Sequence, residues 1–322
     1  MFSTVVALAQ VPEADQYYIN LPGQNPAFTG VDNFLDVQLR YRKTWSQFGS
    51  NPSILGFSVY GKIGKAGAGV YRNNSFRVSD PNIYASKSTS IARKHGFGAS
   101  VNSFKINGYD RKSVSGKYAY HIPVSSHWAL SMGVSFQLLT ERFNADDLTV
   151  RDPINDQFYQ SIMTNGNANS SSYSVAFGGA LYSEGTFIGL GINSLLNKDL
   201  STSLLHPVSA GPEFYLLAGQ TFKAGPQFSL QPTARLSSNS LYGTHVGVGL
   251  RIRYKELIST GFNYEHAHKV SYLLGLNIKS KLRMYYAFDY FINDLKDFRV
   301  GNHEVIVRIP FFNQHSLNAY TW

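Results

Sequence analysis

Apolar and polar residues alternate with period two along most of the chain. From His127 to Leu138, Trp128, Leu130, Met132, Val134, Phe136 and Leu138 share one parity, while His127, Ala129, Ser131, Gly133, Ser135 and Gln137 share the other. Tyr173, Val175, Phe177 and Leu181 likewise oppose Ser174, Ala176, Gly178 and Ala180. Phe228, Leu230, Pro232, Ala234 and Leu236 oppose Gln227, Ser229, Gln231, Thr233 and Arg235, and Tyr272, Leu274, Leu276 and Ile278 repeat the pattern. A pleated strand sends successive side chains to opposite faces. Many segments of about ten residues, apolar on one face and small or polar on the other, are the signature of a transmembrane β-barrel.

The pattern predicts strands at about 34–48, 53–61, 66–73, 82–90, 96–105, 113–121, 127–140, 172–183, 186–194, 213–222, 226–236, 243–253, 256–264, 271–279, 281–291 and 303–312. The expectation is an all-β, antiparallel up-and-down barrel of sixteen strands, or of fourteen if 66–90 is an irregular insertion. Connections alternate between short ones (183–185, 223–225, 254–256, 280) and long ones (141–171, 195–212, 292–302) through the C-terminal two-thirds. Outer-membrane barrels show that asymmetry, with short periplasmic turns and longer extracellular loops. An even strand count then puts both termini in the periplasm.

Residues 10–33 form a polar lead-in containing Pro and Gly, and 34–322 the barrel. Residues 1–9, ending Ala7-Leu8-Ala9, have the small-x-small form of a signal-peptidase site and read as the remnant of a secretory signal. The face opposite the apolar one is unusually small. Gly67 and Gly69, Gly96 and Gly98, Gly189 and Gly191, and Gly247 and Gly249 each flank an outward residue. Glycine in a strand marks either close approach by another backbone or relief of curvature. The first reading predicts a filled lumen, with the lead-in, the 141–171 loop or a partner peptide as the occupant. Inward charges are expected to be few, Arg235 and Arg251 the clearer ones.

Composition narrows the classes. No apolar run reaches the length of a helical membrane span; a barrel escapes that test because half of each strand is polar. Tyr 21 and Phe 22 suit aromatic girdles, although a large soluble sandwich also has aromatic strands. The net charge of +9 would suggest nucleic acid on a soluble protein, but the basic residues are scattered over turns with no aromatic-basic cluster. Cys is 0, which fits an oxidising periplasm without deciding it. His266-Ala267-His268 lacks a nearby third metal ligand, and Asp146, Asp147, Asp152 and Asp156 lack calcium-loop spacing. There is no Gly-x-Ser-x-Gly elbow, no zinc-protease helix motif around His303-Glu304, and no phosphate loop. No catalytic, cofactor or metal site is expected.

The lead-in reads Gln16-Tyr17-Tyr18-Ile19-Asn20, then Asn25-Pro26-Ala27-Phe28-Thr29-Gly30. This resembles the N-terminal signature of the PorP/SprF family, outer-membrane proteins attached to the type IX secretion system of Bacteroidota. Tyr41-Arg42-Lys43-Thr44-Trp45, Lys94-His95-Gly96-Phe97-Gly98, Tyr118-Ala119-Tyr120-His121-Ile122-Pro123 with Leu130-Ser131-Met132-Gly133, and Asn302-His303-Glu304-Val305 resemble further family motifs in the same order. Residues 66–90 and the run past Phe312 to Trp322 depart from it. The resemblance implies a non-enzymatic accessory role in gliding motility or protein secretion. Its partners would be the C-terminal domain of a secreted adhesin, other type IX components, periplasmic peptidoglycan-binding proteins and outer-membrane lipid. Tyr18, Asn20, Asn25, Pro26, Ala27, Phe28 and Gly30 are its motif residues here, structural or in partner contact. The alternative function is an outer-membrane channel or small-molecule transporter.

Overall fold

The computed structural model describes residues 17–44, 52–63, 93–144, 152, 154–156, 160, 163–164, 168–200, 211–240, 243–266, 268–278, 281–292 and 301–313. Within them, period-two segments become strands β1 Leu35–Lys43, β2 Ser53–Ile63, β3 Lys94–Ile106, β4 Tyr109–Pro123, β5 Ala129–Phe143, β6 Ala168–Ser183 and β7 Thr186–Asp199. β8 is Glu213–Gln220, continued after Thr221 by Phe222–Ala224. β9 Phe228–Asn239, β10 Gly243–Tyr254, β11 Ile258–Glu265, β12 Lys269–Ile278, β13 Leu282–Phe291 and β14 Gly301–Phe311 complete the set. Each strand pairs antiparallel with the next, and β14 pairs with β1 from Leu35↔Phe311 to Lys43↔His303, so the sheet closes. The barrel has fourteen strands, the lower of the two expected counts; the predicted strands 66–73 and 82–90 lie outside the described residues.

The distribution of polarity is the reverse of a soluble core. Outward residues are large and apolar, and many are about half exposed: Leu39, Phe57, Val101, Met132, Phe136, Tyr272 and Leu274 among them. The buried set includes Arg42, His121, Gln231, Arg251, Asp289, Glu304 and Arg308. An exposed apolar band this extensive is costly in water and suited to a bilayer. On β5 the alternation is plain: Ala129 and Ser131 are fully buried, while Met132 between Ser131 and Gly133 is 62% exposed.

β1 starts and β14 finishes at the same end of the barrel, which we call the proximal rim. Several turns there are tight, as at Gly185 (φ 80°), Gly225 (φ 79°) and the left-handed pair Lys255 and Glu256 (φ 48° and 56°), while the long connection between β2 and β3 also leaves from and returns to this rim. The opposite, distal rim has one two-residue hairpin, Asn107-Gly108 (φ 35° and 68°), whose backbone matches strand twist. β5 and β6 outrun the predicted strands and shorten the expected 141–171 loop, because their distal ends are cross-linked. Tyr109 donates to Glu141, Arg111 lies 3.6 Å from the same carboxylate, and Arg142 Nε donates to Asn169 at 3.1 Å. β7 likewise runs to Asp199, beyond its pairing with β8, which starts at Asn193↔Glu213.

Candidate functional site

The segment preceding β1 folds on itself through two Asn caps. Asn20 accepts from Gly23 N at 2.9 Å and starts helix α1, Leu21–Gln24; Pro22 falls in its first turn, where a missing N–H costs nothing. Asn25 accepts from Ala27 N at 2.9 Å and starts a 3-10 turn over Pro26–Phe28. Gly30 then turns the chain at φ 72°, where a side chain would be strained and would collide with Gly61 O at 2.7 Å.

This segment lies within the barrel, in the half nearer the proximal rim. Tyr17, Tyr18, Ile19, Leu21, Asn25, Ala27, Phe28, Thr29 and Val31 are all at most 3% exposed. The wall holds it by its backbone carbonyls, from strands spread around the ring. Lys117 Nζ donates to Pro22 O at 2.9 Å and Gly23 O at 3.2 Å. Ser131 Oγ donates to Ala27 O at 2.7 Å, and Arg308 Nη1 to Ile19 O at 3.0 Å. His121 Nε2 donates to Thr29 O at 2.8 Å, and its Nδ1 shares a hydrogen bond with Tyr182 OH at 2.9 Å. Lys94 Nζ donates to Val31 O. In the other direction, Asn25 Nδ2 donates to Gly179 O and Leu190 O, each at 3.2 Å, bridging β6 and β7.

Aromatic side chains complete the anchoring. Phe28 meets Phe187 edge-on at 5.6 Å, Tyr17 OH donates to Thr233 Oγ1 at 3.1 Å, and the Tyr18 ring stacks under Arg251 at 4.6 Å. Burial pushes the Tyr17 and Tyr18 hydroxyls above the usual tyrosine range, against the pull of nearby arginines.

The small inward residues make room for this backbone. A Cβ on Gly96 would come within 2.6 Å of Thr29 C, and one on Gly133 within 2.6 Å of Pro26 O. One on Gly178 would reach Asn25 Cγ at 2.8 Å, and one on Gly189 the Phe28 ring at 2.7 Å. The other predicted glycines stand elsewhere. Gly98 faces the Tyr60 ring and the Thr29 methyl, Gly191 faces Tyr215, Gly249 faces Thr233 and Asn263, and Gly247 has only ordinary contacts with Tyr264 and Arg235. Gly67 and Gly69 lie outside the described residues. The motif residues Tyr18, Asn25, Pro26, Ala27 and Phe28 are packed inside the wall, while Asn20 and Gly30 shape the local turns.

The expectation of few inward charges is overturned. Arg308 sits 2.6 Å from Asp36, Arg42 3.5 Å from Asp289, Arg40 3.7 Å from Glu304 and Arg235 3.3 Å from Glu213. Each charge sits at inward parity on a strand whose outward residues are apolar; the partner stands on the adjacent strand or, for Arg42 and Asp289, on the strand beyond it. Of the anchoring donors, Lys94, His121 and Ser131 lie in the motif stretches quoted from the sequence, without a role of their own there; Lys117 and Arg308 are named first by the structure. Among the described residues no group of three or more His, Cys, Asp or Glu is arranged to hold a metal; His268 instead packs against His245 and Phe291.

Residues 6–309 match the family described as type IX secretion system membrane protein PorP/SprF. The chain belongs to this family. The stretch that resembles the family's N-terminal signature is here the segment enclosed by the barrel, and the family places this chain in the outer membrane as a type IX secretion component. No curated protein sequence matches the chain. Among solved structures it is similar in overall shape to the toluene transporter TbuX of Ralstonia pickettii, with TM-score 0.47, 10% identity, and 92% and 93% of the two chains covered. It is also similar to Omp33 of Acinetobacter baumannii, with TM-score 0.48, 9% identity, and 88% and 100% covered. A third is the P. putida toluene transporter TodX, with TM-score 0.47, 8% identity, and 89% and 92% covered.

Proposed function

We propose that this PorP/SprF protein is a non-enzymatic accessory barrel that binds the C-terminal domain of a secreted surface adhesin and aids its delivery or anchoring, in the service of gliding motility or a related surface process. The observation that carries this reading is the lumen occupied by the chain's own residues 17–31. A barrel filled from wall to wall over its proximal half offers partners its rims and loops rather than a solute path. The tight proximal turns then face the periplasm with both termini, where other type IX components and peptidoglycan-binding proteins are within reach. The distal connections, the one between β5 and β6 among them, face outward and meet the cargo. In this reading the motif residues Asn25, Pro26, Ala27 and Phe28 act structurally, by holding the plug.

The second reading is a channel for small solutes, favoured by the charged distal lumen around Arg40, Arg42, Asp289 and Glu304. Affinity purification from detergent-solubilised outer membranes of the host, followed by mass spectrometry, separates the two. Stoichiometric recovery of a large secreted protein through its C-terminal domain is the expected result. Recovery of the barrel alone, with stepwise single-channel conductance, would overturn the accessory reading in favour of the channel.

A further inference from the structure

The proximal rim carries a buried cation with no carboxylate partner among the described residues. Arg283, on β13, is 3% exposed and points inward. Its cross-strand neighbours are Arg308 on β14 and Asn277 on β12. Arg308 is met by Asp36 at 2.6 Å, and Arg253 by Glu256 at 3.7 Å. Arg283 has no such carboxylate among the described residues, and its Nε and Nη1 are buried without a hydrogen-bond partner. Its one close companion is the Phe34 ring, 5.7 Å from the guanidinium, which fixes the plane without taking a hydrogen bond.

Arg283 lines an open-mouthed recess together with Arg253, Glu256, Ser259, Asn277 and Tyr285. Arg253 and Ser259 are direct cross-strand partners, so both present polar groups to the same space. Asn277 is oriented by its Nδ2 bond to Glu256 O at 2.9 Å. A buried guanidinium with unmade donors is expensive, and its fork of N–H groups matches a carboxylate or phosphate in two parallel bonds. Its enclosed part is about the size of one water, so an anion would reach the guanidinium by one terminal group at the mouth.

We propose that this recess is an oxyanion-binding site that takes a single carboxylate or phosphate group presented from the proximal side. It is independent of the cargo reading, since it faces the opposite rim.

The test is thermal unfolding of the purified full chain in detergent, titrated with sodium phosphate, sodium acetate or sodium chloride at constant ionic strength. The expected result is a saturable rise in midpoint of at least about 2 °C with phosphate, acetate or both, and none with chloride. A response to phosphate alone identifies a phosphate-bearing ligand, free or on a lipid headgroup; a response to acetate identifies a carboxylate such as a peptide supplies. Arg283→Met should abolish the response. Asn277→Asp, which sets a carboxylate beside the guanidinium, should abolish it too while raising the midpoint without added anion, so a folding defect in the first variant leaves the test intact. Equal responses in wild type and both variants, or no saturable response in wild type, would show that water alone fills the recess.

Discussion

Two glycines of the wall can be used to lift the plug. Gly96 and Gly133 face Thr29 C and Pro26 O, and an added methyl on either would come within 2.6 Å of plug backbone, which cannot rotate away. Overpacking of this kind costs about 1–3 kcal/mol per site. The two sites lie on different strands and press on different plug residues, so Gly96→Ala with Gly133→Ala should raise the plugged state by at least about 2 kcal/mol. Since 1.4 kcal/mol is a factor of ten, the unplugged population rises about 30-fold. The strand ladder itself loses nothing, because alanine keeps the backbone hydrogen bonds.

The chain has Cys 0, so Val31→Cys supplies a single reporter at a position 3% exposed. Its rate of maleimide labelling follows the open population when opening is fast relative to reaction. The double alanine variant should label about 30-fold faster, and its conductance in planar bilayers should rise above that of the parent. Gly116→Ala is the control: nothing lies within 4 Å of the added methyl there, and labelling should not change. A folded double variant that labels at the parental rate would refute the claim that these glycines exist to admit the plug.

Other expectations follow from single contacts. Asn25→Ala removes the Ala27 cap and both bonds to β6 and β7, and should weaken plug retention by about 2 kcal/mol, read in the same labelling assay. Arg308→Met strands Asp36 in the wall and should cost about 3–5 kcal/mol of barrel stability, seen as a lower melting midpoint, with much of the loss recovered when Asp36→Leu is added. Replacing residues 145–167 by a short turn should leave the barrel folded, because β5 ends at Phe143 and β6 begins at Ala168, but should lower recovery of the secreted partner in pull-downs. Unchanged recovery would remove that loop from the partner-binding surface.

The wall was legible because its rule is local. Parity along β5 alone separates Ser131 and Gly133 from Met132 and Phe136, and strand pairing then follows from turn lengths. Strand ends were less legible, since Glu141 and Arg142 break the apolar alternation and are kept in the ladder by partners on other strands. Alternation also says nothing about which inward residue meets which. Lys117, His121 and Arg308 look like ordinary polar positions until the barrel closes and sets them around one peptide. The glycines pointed to a close approach, and the Asn-capped turns of the lead-in are what occupies the space beside Gly96, Gly133, Gly178 and Gly189.

The seam between β1 and β14 has a meaning for biogenesis. Arg308 of the final strand donates to Ile19 O and grips Asp36, bonds that span 289 and 272 residues of sequence. The plug is made before any strand, and the residue that secures it is made almost last. A barrel shutting around an empty lumen would bury Arg308 without Ile19 O, Ser131 without Ala27 O and His121 without Thr29 O. Shutting around a seated plug satisfies all of them at once. Closure of the last strand on the first and seating of the plug therefore share contacts, and each favours the other.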